Sequence, residues 1–374
     1  MSNYCVISFI NINNIPYANK YIGALSKGND FCDVIYWDRY GNDIEHEKSN
    51  VKYIPYNYTI THKTGRIHKY VKYIGVIQFI RKKLKEKSYA GVVLLQTHAA
   101  VACADILILR YCKQYIVDIR DYTLENFRLY YLIENIIIKR SYAAVISSPA
   151  YKNFLPPYQY VIAHNYTQLP QKILRQAVES QQKYINEKIV ISFIGTVRFY
   201  DMDRTLINLF ANDDRFILEY IGSGALGLKA HCETRNINNV RLIDSFPQEM
   251  TFEFYTNVHF INNLYGYGDK YLDLALSNRL YHAAQLGIPI LVCKNTYMAE
   301  IIQKYRLGFI FDFNDPEIKE QLLNYYHNID FNILRSNGAK FIHEVTKENT
   351  AYDKLIHKFI RHCYKYNCNN KKIS

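Results

Sequence analysis

Several features are scarce or missing in this chain, and each closes off a class of function. No stretch reaches the ~18 uninterrupted apolar residues that a membrane-spanning helix requires. The spacing Cys-x-x-Cys does not occur. The eight cysteines (Cys5, Cys32, Cys103, Cys112, Cys232, Cys293, Cys363, Cys368) are scattered, several inside apolar runs such as VACADIL. They read as small core residues in a reducing compartment, not as a metal site or a disulfide framework. No metal cofactor is expected. The opening MSNYCVISFI lacks a basic start followed by a long apolar core, so it reads as a first strand and not as an export signal. Repeats of 20–50 residues are absent, which removes solenoids and propellers. Acid is in deficit: 34 Asp and Glu stand against 46 Lys and Arg, a net charge of +12. Such a chain calls for an acidic partner, whether nucleic acid, an anionic membrane surface or a phosphate-bearing substrate. Tryptophan occurs once against 36 tyrosines, a bias that with the many Ile, Asn and Lys fits an AT-rich coding sequence.

What is present is an alternation of short β-branched runs with longer mixed segments, the signature of βα units around parallel sheets. With 374 residues the chain is long enough for two domains. In the first half CVISFI (5–10), DVIYW (33–37), VKYIPY (51–56), GVVLLQT (91–97), YIVDIRD (115–121) and AAVISS (143–148) read as strands. Helices fall near 17–27 and over 68–87, 99–113 and 125–140. Prolines at 156, 157 and 170 and the polar run SQQKYINEK mark a linker, set at 166–187 between an N-terminal domain of residues 1–165 and a second of 188–348. KIVISFIG (188–195) opens the second series, continued by strands near 215–222, 239–244, 258–262, 288–293 and 308–313 and a helix over 274–285. Residues 349–374 read as a closing helix, placed over 350–366, and a basic tail. The expected fold class is α/β, two Rossmann-like halves facing across a cleft, with ligands outside the carboxyl ends of the strands.

Four constellations carry candidate chemistry. After the strand 188–194, Gly195-Thr196-Val197-Arg198 leads into a helix whose free N–H groups suit an anion, and Arg198 and Arg204 add charge. The alternative is a plain βα turn with surface arginines. Within that helix start, Asp201 and Asp203 resemble a metal-binding Asp-x-Asp but read better as a cap and a first-turn acid. Gly222-Ser223-Gly224 repeats the strand–glycine turn one βαβ unit later. Ser277-Asn278-Arg279-Leu280-Tyr281-His282 opens a helix that Gly287-Ile288-Pro289 turns into a strand. Arg279 in the first turn opposes the helix dipole, so an exposed arginine there points to a nearby anion. Finally Asp118-Ile119-Arg120-Asp121 ends a strand. Asp121, with Asp118 second, is the candidate base for an acceptor hydroxyl; the other reading is an Asp–Arg pair fixing the turn. Asn11, Asn13, His98, His164 and Glu300 are further polar residues at candidate cleft positions.

The stretch Ser277 to Leu291 resembles the helix Asn-Lys-Leu-x-Glu-Tyr-x-Ala-x-Gly-x-Pro-Val of GT-B glycosyltransferases encoded in capsule, O-antigen and exopolysaccharide clusters, the family-4-like type. The Gly195–Arg198 turn resembles their diphosphate loop, Asp118–Asp121 their Asp-x-His-Asp turn, and GFIFDFND (308–315) their following strand. The similarity covers roughly 188–315 and is only architectural over 1–150. It implies a nucleotide-sugar donor, a UDP-sugar, held by the C-terminal half at Gly195, Arg198, Arg204, Gly222, Ser223, Gly224, Ser277, Asn278, Arg279 and His282. Catalytic roles would fall to Asp121, Asp118 and Arg120, and the acceptor would be a lipid-linked saccharide of surface-polysaccharide synthesis. The chain departs from the family's paired glutamates, whose places fall on Leu274 and His282, which leaves donor identity and stereochemistry open. His282 either hydrogen-bonds the donor ribose or packs within its helix.

The charge concentrates over residues 62–87, where nine Lys and Arg stand against Glu86 alone, net +8. Tyr70, Val71, Ile74, Ile77, Ile80 and Leu84 recur at helical spacing beside them. This predicts a peripheral contact with an anionic inner leaflet through Arg81, Lys82, Lys83 and Lys85, on the cytoplasmic side. A sugar-nucleotide 2-epimerase of the same fold is the first alternative. A basic nucleic-acid-binding protein is the second, but no nucleic-acid motif or aromatic stacking platform accompanies the charge.

Overall fold

A computed structural model of the chain describes residues 2–39, 41, 49–58, 66–181 and 188–370. Two compact units emerge, Met1–His164 with Lys347–Ser374, and Asn165–Thr346. The first carries β1 (Asn3–Ser8), α1 (Ala18–Leu25), β2 (Phe31–Asp38), β3 (Val51–Asn57), α2 (Arg66–Glu86) and β4 (Gly91–Leu95). It continues through α3 (Thr97–Ala102), α4 (Ala104–Arg110), β5 (Tyr115–Ile119), α5 (Arg128–Arg140), β6 (Ala143–Ile146) and β7 (Val161–Ile162). The second begins with α6 (Gln171–Gln181), β8 (Ile189–Ile194), α7 (Tyr200–Leu209), β9 (Phe216–Ile221), α8 (Lys229–Thr234), β10 (Val240–Ile243) and β11 (Phe260–Asn263). It ends with α9 (Lys270–Asp273), α10 (Asn278–Leu286), β12 (Ile290–Cys293), α11 (Tyr297–Tyr305), β13 (Gly308–Phe311) and α12 (Ile318–His327), before α13 (Phe331–Asn370).

Both sheets are parallel, in the orders β3-β2-β1-β4-β5-β6-β7 and β10-β9-β8-β11-β12-β13. Their central strands are buried along their whole length, GVVLL in β4 and IVISFI in β8, as expected of strands covered on both faces. Each order reverses once, beside β1 in the first sheet and beside β8 in the second. Right-handed crossovers place α1 on one face of the first sheet and α2, α3, α4 and α5 on the other. On the α1 face Tyr4, Val6, Tyr21 and Leu25 form one core with Tyr352, Ile356 and Phe359 from the distal half of α13. Phe341 and Val345, earlier in the same helix, belong to a core of the second unit with Leu280, Tyr281 and Ile290.

The expected α/β class and the two Rossmann-like series are therefore observed. Three boundaries differ. Gln171–Gln181, inside the expected linker 166–187, is a helix whose Ala177, Ile173 and Leu174 pack into the second unit; residues 182–187 lie outside the described residues. The closing helix begins at Phe331 and not near 350, and its distal half belongs to the first unit. The expected helix over 99–113 breaks at Cys103, with φ −115°, into α3 and α4.

Candidate functional site

The second unit's strand order reverses between β8 and β11, and the carboxyl ends of these strands open the crevice where open α/β sheets bind ligands. Two turns interlock there. Gly195 N–H donates to Ile221 O at 2.8 Å and Val197 N–H to Ser223 O at 2.8 Å. Gly195 (φ +134°) and Gly222 (φ +132°) both hold backbone that L side chains rarely adopt, and a Cβ on Gly222 would overlap the carbonyl of Gly195. The second glycine turn thus serves the close approach of two loops. Gly195 has a different neighbour: a Cβ there would stand 2.9 Å from Nη2 of Arg279.

Arg279 is the centre of this site and is only 8% exposed, which corrects the expectation of an exposed first-turn arginine. Its Nε donates to Ile194 O at 2.9 Å and its Nη1 to Asn263 Oδ1 at 3.3 Å and to the Tyr265 hydroxyl. The guanidinium lies 3.8 Å over the Phe193 ring centroid. Ser277 Oγ donates to the same Asn263 Oδ1 at 2.7 Å, so the start of α10 and the end of β11 share one network. Asn278 is exposed at the first position of α10. Asn263 and Tyr265 were missed by sequence reasoning, although a polar residue ending an apolar strand is a usable signal.

Beside this network α7 begins at Tyr200, whose hydroxyl donates to Gly224 O at 3.0 Å. Arg198, Phe199, Tyr200, Met202 and Arg204 line an open depression of about 450 Å³. Arg198 is exposed, and Arg204 reaches Asp201 at 3.4 Å on the surface. Asp201 and Asp203 diverge: the first is in solvent, while the second is buried with Oδ2 lacking a hydrogen-bond partner. Burial raises the Asp203 carboxyl to about 7 against the opposing pull of Arg279. Two carboxylates pointing apart do not make a metal pair, and among the described residues no group of three or more His, Cys, Asp or Glu could hold a metal ion.

His282 is held in an aromatic setting, its Nδ1 3.3 Å from the Tyr255 hydroxyl and its ring edge-on to Phe252. Burial, then Arg279, lowers it to about 4, so it is neutral at physiological pH. Glu300 is exposed in the first turn of α11.

In the first unit the predicted Asp118, Arg120 and Asp121 separate into two kinds. Asp118 and Arg120 are both buried and form a two-pronged pair at 2.5 and 2.9 Å. Tyr21 donates to Asp118 at 2.8 Å, and Arg120 donates to Ala163 O at 2.6 Å. Both side chains are thus engaged within the turn after β5. Asp121, just beyond, is half-buried.

The first sheet's reversal lies between β1 and β4, and Gln96 bridges it. Its backbone is strained for a non-glycine residue (φ +92°) and its Oε1 accepts from Phe9 N–H at 3.2 Å. His98 packs edge-on against Phe9 at 5.0 Å and is lowered to about 4 by burial, with Arg39 adding to the effect. Asn11 is committed to Asp38 at 2.9 Å, and His164 to Glu348 of α13 at 2.5 Å.

Of the expected membrane cations, Arg81 is taken up in a bidentate pair with Asp105 at 2.5 and 2.7 Å, and Lys83 pairs with Glu86 at 2.8 Å. Lys82 and Lys85 are exposed. Ile80 and Leu84 of the expected apolar stripe are buried, whereas Val71 and Ile74 face solvent; residues 62–65 lie outside the described residues.

No family model and no curated protein matches the chain by sequence. Solved structures match over nearly its whole length. Sucrose-phosphate synthase from Thermosynechococcus elongatus superposes with a TM-score of 0.67 at 10% identity, covering 100% of this chain and 99% of its own. HepE from Anabaena, solved in complex with UDP, gives 0.65 at 10% identity over 96% and 100%. The lipopolysaccharide outer core galactosyltransferase WaaB gives 0.61 at 14% identity over 98% and 99%. At these identities the likeness shows the fold: the chain has the α/β, two-sheet GT-B architecture.

Proposed function

We propose that this chain is a glycosyltransferase, moving a sugar from a nucleotide-diphosphate donor, a UDP-sugar, to a lipid-linked saccharide in surface-polysaccharide synthesis. The observation that carries the reading is Arg279, a guanidinium brought to the carboxyl end of β8 with Nη2 turned to the Gly195 loop. The start of α10 stands beside it, and a helix start with an arginine is a natural diphosphate seat. Arg198 and Arg204 around the start of α7 supply further charge to the phosphates. The neighbours support the same class: HepE was solved with UDP, and WaaB is a galactosyltransferase.

Transfer requires the acceptor hydroxyl to lose its proton as the glycosyl bond forms. We assign that role to Asp121, half-buried just beyond the carboxyl end of β5. Arginines would stabilise the departing diphosphate, so no metal is required.

A thermal-shift series with UDP, GDP, CMP and ADP, without added metal, tests the reading. A ligand at 100 times its Kd stabilises the native state by about 2.7 kcal/mol, so UDP should raise the melting temperature measurably. The Arg198→Ala/Arg204→Ala variant should lose most of that shift. Absence of a shift with every nucleotide, or a strict magnesium requirement, would overturn the proposed donor site.

A further inference from the structure

The outer surface of α5 is built against the usual pattern. The helix turns Glu134 inward, 1% exposed with neither carboxylate oxygen hydrogen-bonded, yet leaves Leu129 71% exposed. Leu132 and Ile136 are exposed as well, and with Leu129 they stand at i, i+3 and i+7 on a single face. Phe127, the extended residue that precedes the helix, is exposed too, and Leu109 of the adjoining α4 is 82% exposed. Contiguous apolar surface of this kind marks an interaction site, whereas a single exposed leucine does not.

The charge around the stripe has one sign. Arg128 stands at its start and Lys139 and Arg140 at its end, all exposed. Lys113 joins the last two, its Nζ donating to Lys139 O at 2.8 Å. None of these cations has an ion-pair partner among the described residues. Of the nearby acids, Asp105, one turn before Leu109 on α4, is exposed but neutralised by its pair with Arg81, and Glu125 and Glu134 are buried. The Arg81–Asp105 pair also ties α2 alongside α4, which brings the exposed Lys82 and Lys85 to the same side of the sheet.

We infer that the outward face of α5, with Leu109, docks on an anionic lipid surface. Apolar side chains would enter the headgroup boundary while the flanking cations meet phosphate. A second copy of the chain fits poorly. A two-fold contact through this patch would set uncompensated cations against the same cations of the other copy. The assignment goes beyond the donor-site reading and moves the apolar part of the membrane contact from α2 to α5.

Sedimentation of the full chain with phosphatidylglycerol-containing and pure phosphatidylcholine vesicles tests it. Leu129→Asn/Leu132→Asn/Ile136→Asn should reduce partitioning on anionic vesicles by about tenfold or more. Arg128→Gln/Lys139→Gln/Arg140→Gln should weaken binding and flatten its salt dependence. Leu129→Asp alone provides a milder variant should the triple change fold poorly. UDP-induced thermal shifts should match the wild type in all of them, so failure of the donor site registers separately. Equal binding by wild type and both apolar variants, equal binding of wild type to neutral vesicles, or no binding would each overturn the inference. So would a dimer abolished by the triple change in a chain that ignores lipid.

Discussion

A guanidinium taken out of water has to recover its hydration from protein groups, and Arg279 does so with a carbonyl, an amide, a phenol and an aromatic face. From sequence it is a cation at the wrong end of a helix dipole, and an anion is the simplest compensation. Two of the compensators, Ile194 and Phe193, lie far away in the chain and reach Arg279 because β8 and β11 are neighbours, while Asn263 and Tyr265 stand at the end of β11 and just beyond it. Local pattern therefore located the residue and misjudged its exposure. Arg279→Ala should cost on the order of 3 kcal/mol of stability, because it leaves the Ile194 carbonyl, Asn263 and Tyr265 without their buried charge-assisted hydrogen bonds. Arg279→Lys should recover little, since an ammonium cannot reproduce the planar fork and ring stacking. Urea unfolding of both variants checks this, and wild-type stability in Arg279→Ala would show that the contacts contribute nothing net. UDP affinity measured below the unfolding transition separates the ligand role from the structural one.

At the scale of elements, the strand–glycine turns were legible and their purpose was not. An apolar run ending in Gly announces a βα turn at 195 and 222, but only the paired strands show that one turn's backbone presses on the other's. Gly222→Ala should therefore be costly in itself, from a positive φ and an overlap with the Gly195 carbonyl, by about 2 kcal/mol or more. It should also displace the Gly195 loop, and so weaken UDP binding along with stability. A melting curve with and without UDP reads both effects; a variant with unaltered melting would mean the loops relax freely. The helices show the complementary failure of sequence. α6 hides in a polar stretch because its few apolar residues acquire meaning only against the second unit, and α13 extends well before the expected position because its first half is buried by α10.

At the scale of the whole molecule, Glu134 in the first unit and Asp203 in the second have carboxyls that burial pushes well above the usual range. Burial raises Asp203 to about 7 and Glu134 to about 8, and Glu125 adds to the second shift. An unfolded carboxyl loses its proton near 4, so between that pH and these values the native state binds more protons than the unfolded one. The stability this provides is complete below about pH 4 and is lost as pH rises through 7 for Asp203 and 8 for Glu134. Above those values both groups are buried charges with unpaired oxygens. His98, His259 and His282, lowered to about 4, act in the opposite direction and lose stability as pH falls below ~6.5. The two sets confine maximal stability to mildly acidic pH, but only variants assign each limb. Asp203→Asn/Glu134→Gln removes the alkaline limb without adding charge. Its melting temperature relative to wild type should therefore increase from pH 5 to pH 8.5, by an amount equivalent to ~2 kcal/mol per group after allowance for relaxation around a newly formed charge. Calorimetric scans at the two pH values give the difference directly. A constant offset between variant and wild type would mean that the buried carboxyls already ionise at their ordinary values.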